Sequence, residues 1–463
     1  MLRAVAKIVA WLVGGLLGTA VLLYLLLLVV NLHDEPPSPA AQRFAEVRAK
    51  RPAVADENNA FIYLVGMGVD AQYDPQQAGL AMVAMERNRP PQEDSAGYTH
   101  PDYPQNDAIK ISAKPLLDLL EACRTIGSSC LKFLDSKADT VTLGPPEQLL
   151  VERYRTLITF PEWRESGVTY NGPIPSYSPA LNGQKLMLLD CWQLADDKAM
   201  NRCNGLLEAD AHFWRNVFNS ADSLITSMVA VRAMGNNLIW TNLIMRRDTK
   251  HPSRIAIPAT WQRPISDDER AMERTWSGEW QFVESILSKV QSDGFGVLDG
   301  MQDKQTISAH MENWFMRPLF LHQATLNQQA SSFVEVMEQY RTPYAQLPAV
   351  AAKRNASLPF GGEELSFPHM FYNPIGKILN EIGKPNYGGY MLKVADLEGA
   401  RRALLATAAL RTTHTPREKA AEMLTQLPLR NPYTNQPFAW DEATGCVLFE
   451  GLSETHNRYQ FPL

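Results

Sequence analysis

The chain has 463 residues, 45% of them hydrophobic and 20% charged, with a formal net charge of −6. That length and balance fit a folded protein of two or three domains and exclude a disordered tail. An acidic chain with no basic stripe also excludes a nucleic-acid partner, since phosphates need cations to neutralise them.

In chain order, the first element is Ile8 to Val30, a run with no charged side chain. As a helix rising about 1.5 Å per residue it reaches roughly 34 Å, enough to cross a hydrocarbon core of about 30 Å. It is apolar on every face, which excludes an amphipathic surface helix. It is too long for the core of a cleaved signal peptide, and Val29-Val30-Asn31-Leu32-His33 offers no small-x-small cleavage site. Arg3 and Lys7 precede the run, and His33, Asp34 and Glu35 follow it. Positive residues stay on the cytoplasmic side. Residues 1–7 are therefore expected as a cytoplasmic stub and 8–32 as a transmembrane signal-anchor. The C-terminal part is then periplasmic, in a single-pass protein of a bacterial inner membrane. The lipid bilayer is the partner this predicts, with an envelope protein as a second. Trp11 suits the interface, whereas Tyr24 reads as a side chain merely tolerated in lipid.

Residues 33–55 read as a spacer and a short helix. Asp34-Glu35-Pro36-Pro37-Ser38-Pro39 is proline-rich, stiff and extended, and is expected to lift the domain off the membrane. Residues 56–430 read as a mainly helical extracytoplasmic domain. Phe61 to Gly66 is short and apolar and fits a strand or a helix. Asp70 to Asp107 reads as a long surface loop with at most one short helix near Ala78–Met85. Helices are expected at Pro115–Cys123 and Glu147–Thr159, and another beginning at Leu186, after an irregular stretch from Gly172 to Gly183. Leu206–Met234 carries the strongest helical period, with Phe213, Trp214, Val217, Phe218 and Leu224 on one face. Gly235-Asn236-Asn237 looks like its C-cap, with a partner helix over Leu238–Arg246. Ser266-Asp267-Asp268-Glu269 is a capping box opening a helix through Trp276, Trp280 and Val290. Lys304–Tyr340 is helical, with Thr306 as a simple N-cap and a split at Pro318. Pro343, Pro348, Pro359 and Gly361-Gly362 read as a loop. Helices over Ile375–Ile382 and Tyr390–Leu410 follow.

Five cysteines are present. Outside the cytosol, local pairing as Cys123–Cys130 and Cys191–Cys203 is expected, leaving Cys446 over. Buried free thiols are the competing reading. Zinc fails on spacing, because neither pair is C-x₂₋₄-C. No metal site and no cofactor motif is present.

Residues 431–463 change character. Asn431-Pro432-Tyr433-Thr434-Asn435-Gln436-Pro437 is a turn cluster. Phe438-Ala439-Trp440 and Cys446-Val447-Leu448-Phe449 are strand-like, and Asp441 to Gly445 has hairpin-loop chemistry. The fold class is thus mainly α, a multi-helix body with a small C-terminal β-hairpin on one N-terminal transmembrane helix. The tail, through Asn431, Pro432, Thr434 and Pro437, resembles the D-P-x-T-G-x-P-x-x-Y tail of uncharacterised, single-span, membrane-anchored extracytoplasmic bacterial proteins. It differs at Asn431, where that pattern has Asp, and at Asn435, where it has Gly. Asn tolerates the same turn conformations. The resemblance implies the topology and supplies no catalytic residues.

Catalytic motifs are absent or bare. Ser129-Cys130-Leu131-Lys132 matches S-x-x-K without the accompanying S-D-N or K-T-G. His310 and His322 point about 120° apart on a helix and would not share a ligand. His369 reads as a packed loop histidine, Glu363-Glu364 as a solvated pair, and Arg401-Arg402 as an exposed helix face. Trp214, Trp276, Trp280 and Trp314 read as core. The loop Tyr98–Tyr103 and the segment Tyr170–Tyr177 are the candidates for an exposed recognition surface. No catalytic residue can be named. The expected function is a membrane-anchored envelope protein with a binding or structural role. The alternative is an extracytoplasmic hydrolase acting on cell-envelope material.

Overall fold

Helices carry nearly all the regular structure, and one three-stranded antiparallel sheet closes the chain. The computed structural model describes residues 2–89, 97–105, 111, 113–123, 128–137, 141–170, 172–193, 197–247, 256–295, 314–356, 369–383, 387–454 and 458–463. Thr306, His310, Pro359, Gly361-Gly362 and Glu363-Glu364 lie outside the described residues. The chain divides into two units. One comprises Met1–Ala49, Trp280–Glu335 and Asn355–Pro385, and the other Lys50–Glu279, Val336–Arg354 and Asn386–Leu463.

In the first unit, α1 (Leu2–Val30) is one unbroken helix, long and apolar enough over Lys7–Val30 to cross a membrane. Its large side chains face outward, Trp11 at 82% exposure among them. Asn31 closes its end, donating to Leu27 O and Phe371 O at 2.8 Å each and accepting from Asn373 N at 2.6 Å. The proline-rich segment that follows does not stand free as a spacer. Asp34 caps α13 (His322–Arg341), accepting from Gln323 N at 2.8 Å and Ala324 N at 2.9 Å. Asn327 on the same helix donates to Pro36 O and accepts from Ser38 N. Prolines leave several carbonyls without a ladder partner, and Asn327 supplies the missing donor and acceptor. Next, α2 (Pro39–Ala49) buries Phe44 against Trp280 and Phe333, with centroids 6.4 and 6.3 Å apart. Trp280 lies on α12 (Glu273–Asp293), where Nε1 donates to Leu326 O. Pro318 sits in a short 3-10 turn ahead of α13, as its missing N–H predicts.

The second unit begins with α3 (Ala60–Gly66), which settles the ambiguous apolar run as a helix because Asn59 caps it, accepting from Phe61 N. Next, α4 (Pro75–Arg87) is longer than expected, capped by Asp74 with Pro75 at its first position. Two short helices, α5 (Lys114–Ala122) and α6 (Ser128–Lys137), are joined by the Cys123–Cys130 disulfide. After α7 (Pro145–Leu157), α8 runs Ser178–Gln193, beginning well before Leu186. Gly183 is helical there for a packing reason: a Cβ at that position would lie 2.6 Å from the Tyr154 Cβ on α7.

The principal correction concerns α9 (Asp197–Ser220) and α10 (Leu224–Arg247). The chain breaks at Ala221–Ser223 and runs straight through Gly235-Asn236-Asn237. Those asparagines are not caps. Asn237 Nδ2 donates to Asp210 at 2.7 Å, its Oδ1 accepts from Trp261 Nε1 at 2.7 Å, and Asn236 donates to Gln184 at 3.0 Å. Another break falls at Met272, in a left-handed conformation with φ 53°, between α11 (Asp267–Ala271), opened by the expected capping box, and α12. Pro348 lies inside a helix, α14 (Leu347–Ala356), at the second position where its missing N–H costs nothing. The remaining helices are α15 (Pro374–Ile382), in the first unit, then α16 (Tyr387–Thr412) and α17 (Arg417–Gln426). Arg401 on α16 is not on an exposed face; it is buried, donating twice to the fully buried Glu398 at 2.7 and 2.8 Å and to Trp261 O at 2.8 Å.

The tail forms β1 (Ala439–Asp441), β2 (Cys446–Glu450) and β3 (Arg458–Pro462), so a third strand extends the expected hairpin. Asn435 takes φ 55°, the left-handed position where the resembling pattern has Gly. Asn431 Oδ1 accepts from Tyr433 N at 2.9 Å, an Asx turn. Asp396 on α16 then anchors the tail. It accepts from Tyr433 Oη at 2.6 Å, Leu452 N at 2.8 Å and Ser453 N at 3.1 Å. Beside it, Phe449 of β2 lies flat on Gly399, where an added Cβ would collide with the ring. Gly399→Ala is therefore expected to overpack this contact and destabilise the protein by about 1–3 kcal/mol. Thermal unfolding of the full-length protein checks it. The double variant Gly399→Ala with Phe449→Leu should recover part of the loss.

Candidate functional site

The sequence-level candidates do not meet in one place. Cys123 and Cys130 are bonded. Cys191 and Cys203 are not; they are buried thiols on α8 and α9, hydrogen-bonded to one another, which together with burial pushes the Cys191 thiol up. Cys446 is buried and free. His369 is exposed, in a short 3-10 turn rather than packed. Trp214, Trp276 and Trp280 are core, but Trp314 is 68% exposed. Beside it, Phe315 meets Tyr24 of α1, ring centroids 5.6 Å apart, and the Tyr24 hydroxyl donates to Phe315 O at 3.1 Å. Tyr24 thus has a partner and is not merely tolerated. Among the described residues, no group of three or more His, Cys, Asp or Glu is placed to hold a metal ion.

The two tyrosine segments are exposed or half-buried over most of their described length, but one end of each turns inward. Tyr98 and Tyr177 are both buried. Tyr98 Oη is 2.5 Å from Ser166 Oγ, and Tyr177 shares a hydrogen bond with Thr226 at the start of α10. Between them sits Glu165, accepting from Asp222 N at 3.1 Å and Trp163 Nε1 at 3.5 Å. Burial, then the nearby Asp222 charge, raises its carboxyl to about 7. Asp222 is itself buried and pairs with Arg274 at 2.8 Å and Arg51 at 3.2 Å. This cluster holds the break between α9 and α10. Its carboxyls line neither of the two cavities described next.

One cavity, of about 530 Å³, is a surface hollow along α7, lined by Gln148, Glu152, Arg155 and Thr156 together with Arg202. The other, of about 480 Å³, lies where α10 and α16 both end. Arg246 and Arg247 come from the last turn of α10, Arg411 from the last turn of α16, and Arg417 from the first residue of α17. The turn between the last two is a Schellman motif. Thr415 N bonds to Leu410 O and His414 N to Arg411 O, both at 2.9 Å, with His414 at φ 49°. Each guanidinium is held differently. Arg246 makes a fork to Asp135 at 2.9 and 3.0 Å. Arg247 lies 4.0 Å from the Trp192 ring centroid, a cation–π contact. Arg411 is buried and donates through Nη2 to Pro462 O, while its Nη1 has no partner. Burial, then repulsion from Arg246, lowers it to about 9. Arg417 rests against Gly445 of the hairpin loop. Met245, Leu410, Trp192 and Leu463 complete the wall.

None of these arginines stood out in the sequence. Three lie in the last turn of a helix, where a cation is ordinary, and Arg417 opens a helix as a single exposed charge. Only the packing of α10 on α16 brings the ends together. Its electrostatics make this cavity the candidate site: a concave, strongly cationic place with apolar walls.

Comparison with known proteins adds nothing to this: no protein family, curated protein or solved structure matches the chain.

The raised Glu165 carboxyl has a measurable signature. A carboxyl that keeps its proton longer in the folded state than in the unfolded one contributes least penalty at low pH. Stability is then lost as pH rises from near 4.5 to about 7, and the loss levels off above that. Glu165→Gln should remove this fall, by up to about 3 kcal/mol. Denaturant unfolding at a pH below 5, at 7 and at 8 checks it: the variant should gain on the parent as pH rises. Asp210, raised to about 6 chiefly by burial, is present in both proteins and cancels.

Proposed function

We propose that this is a membrane-anchored envelope protein whose body lies outside the cytoplasm and binds a ligand rather than transforming one. The observation that carries the reading is α1, a long apolar helix exposed on all sides, flanked by the aromatic pair Trp314 and Phe315 against Tyr24. Aromatic side chains with one polar edge favour the headgroup level of a bilayer. Arg3 and Lys7, ahead of the apolar run of that helix, support an inward N-terminus, and the Cys123–Cys130 bond supports an oxidising compartment for the body. The binding role is supported by the cavity wall, since guanidiniums stay charged at neutral pH and hold anions rather than shuttle protons. One observation favours a hydrolase acting on envelope material: a buried acid raised to about 7 beside a second carboxylate suits general acid–base work. Its enclosure among Tyr98, Trp163 and Tyr177 argues the other way.

Topology is checked by fusing a reporter after Leu463. A periplasm-active reporter should be active, and activity from a cytoplasm-active one alone would overturn the placement. Protein taken from membranes without reductant should accept alkylating label on at most three of its five cysteines, because Cys123 and Cys130 are already joined. Labelling of all five by mass would count against an oxidising compartment.

A further inference from the structure

The arginine-walled cavity deepens the binding role and rests on that reading. We propose that it holds the dianionic head of a small phosphomonoester, between the ends of α10 and α16 and the start of α17. Among the described residues, four guanidiniums line the cavity with one acidic side chain, that of Asp135, which is already engaged by Arg246. Cations at helix C-termini are ordinary, because the backbone dipole favours them. That accounts for the positions of Arg246, Arg247 and Arg411, and leaves two facts over. The first is Arg411 itself, a residue of the cavity wall that is 9% exposed and whose enclosed Nη1 has no acceptor among the described residues. A buried guanidinium nitrogen without an acceptor is costly, and an anion in the cavity removes that cost. The second is Arg417, the first residue of α17, where the dipole disfavours a cation. It is exposed and makes no ion pair among the described residues.

The ligand class follows from the wall. Guanidinium forks match phosphate oxygens in pairs, and several together select a dianion over a single carboxylate. Arg247 is oriented by its stacking on Trp192, and Arg246 by its fork to Asp135, so both are fixed before any ligand arrives. The cavity is larger than a bare phosphate needs. Trp192, Met245 and Leu410 give the surplus an apolar lining suited to a small organic group.

The test uses the full-length protein in lipid nanodiscs and titrates phenyl phosphate by calorimetry at about 0.15 M salt. Phenyl phosphate should bind with a Kd at or below about 1 mM, and benzoate at least about tenfold more weakly. Arg417→Gln changes a surface residue and should weaken phenyl phosphate by about tenfold or more, with the melting temperature unchanged. Arg411→Gln should abolish binding; it also removes the bond to Pro462, so Arg417→Gln is the deciding variant if Arg411→Gln fails to fold. Absence of binding up to about 10 mM would overturn the proposal, as would equal affinity in the parent and Arg417→Gln. Repeating the titration in nanodiscs containing phosphatidic acid separates two sources of the same chemistry. Weakened binding of phenyl phosphate supports a lipid phosphomonoester, and unchanged binding supports a soluble one. The titration reads the cavity alone and the reporter fusion reads topology alone, so failure of one is distinguishable from failure of the other.

Discussion

One buried carboxylate, Asp210, ties together four helices of the second unit. It sits on α9 and accepts from Tyr154 on α7, Gln184 on α8 and Asn237 on α10. Trp214 donates to the Tyr154 hydroxyl and Trp261 to the Asn237 carbonyl, so the network has a second layer. A buried charge is tolerable only when its lone pairs are met, and here both oxygens have donors. The consequence runs along α10. Because Asn237 is engaged by Asp210, the helix has no reason to stop at Gly235, and it continues to Arg247. Its far end therefore arrives beside the end of α16, where the arginines gather. The cationic cavity is thus downstream of a polar knot formed by residues well away from it.

The first unit uses neutral groups to the same end. Asn31, Asn327 and Asn373 each satisfy two or more backbone or side-chain partners from different segments. Asn373 takes φ 50°, a conformation that asparagine reaches with less strain than most residues. These side chains convert a proline-rich segment with few backbone donors into a fixed one.

Much of the architecture was legible in the residues. The apolar run, the capping box at Ser266, the split at Pro318 and the turn chemistry of 431–445 each follow from local rules, and local rules are what a single chain exposes. Gly235-Asn236-Asn237 misleads because the same residues that cap a helix also serve as buried donors, and only tertiary partners distinguish the two uses. Gly183 misleads likewise, being demanded by Tyr154 across a helix crossing. Tyr98 and Tyr177 carry loop composition yet point inward, because Ser166 and Thr226 give their hydroxyls partners. The cavity was not legible at all. Its arginines come from positions 246, 247, 411 and 417, and nothing local joins them.

The clamp of Asp34 on the first turn of α13 changes what kind of attachment α1 provides. A slack leash lets its cargo sample a hemisphere above the bilayer, so an encounter depends on linker length and effective concentration. Three residues separate the end of α1 from that clamp, and Asn31 pins the junction as well. Such a joint behaves as a bracket: were α1 set in a bilayer, the first unit would keep one height and one face toward the lipid, and whatever it met would approach in register with that face.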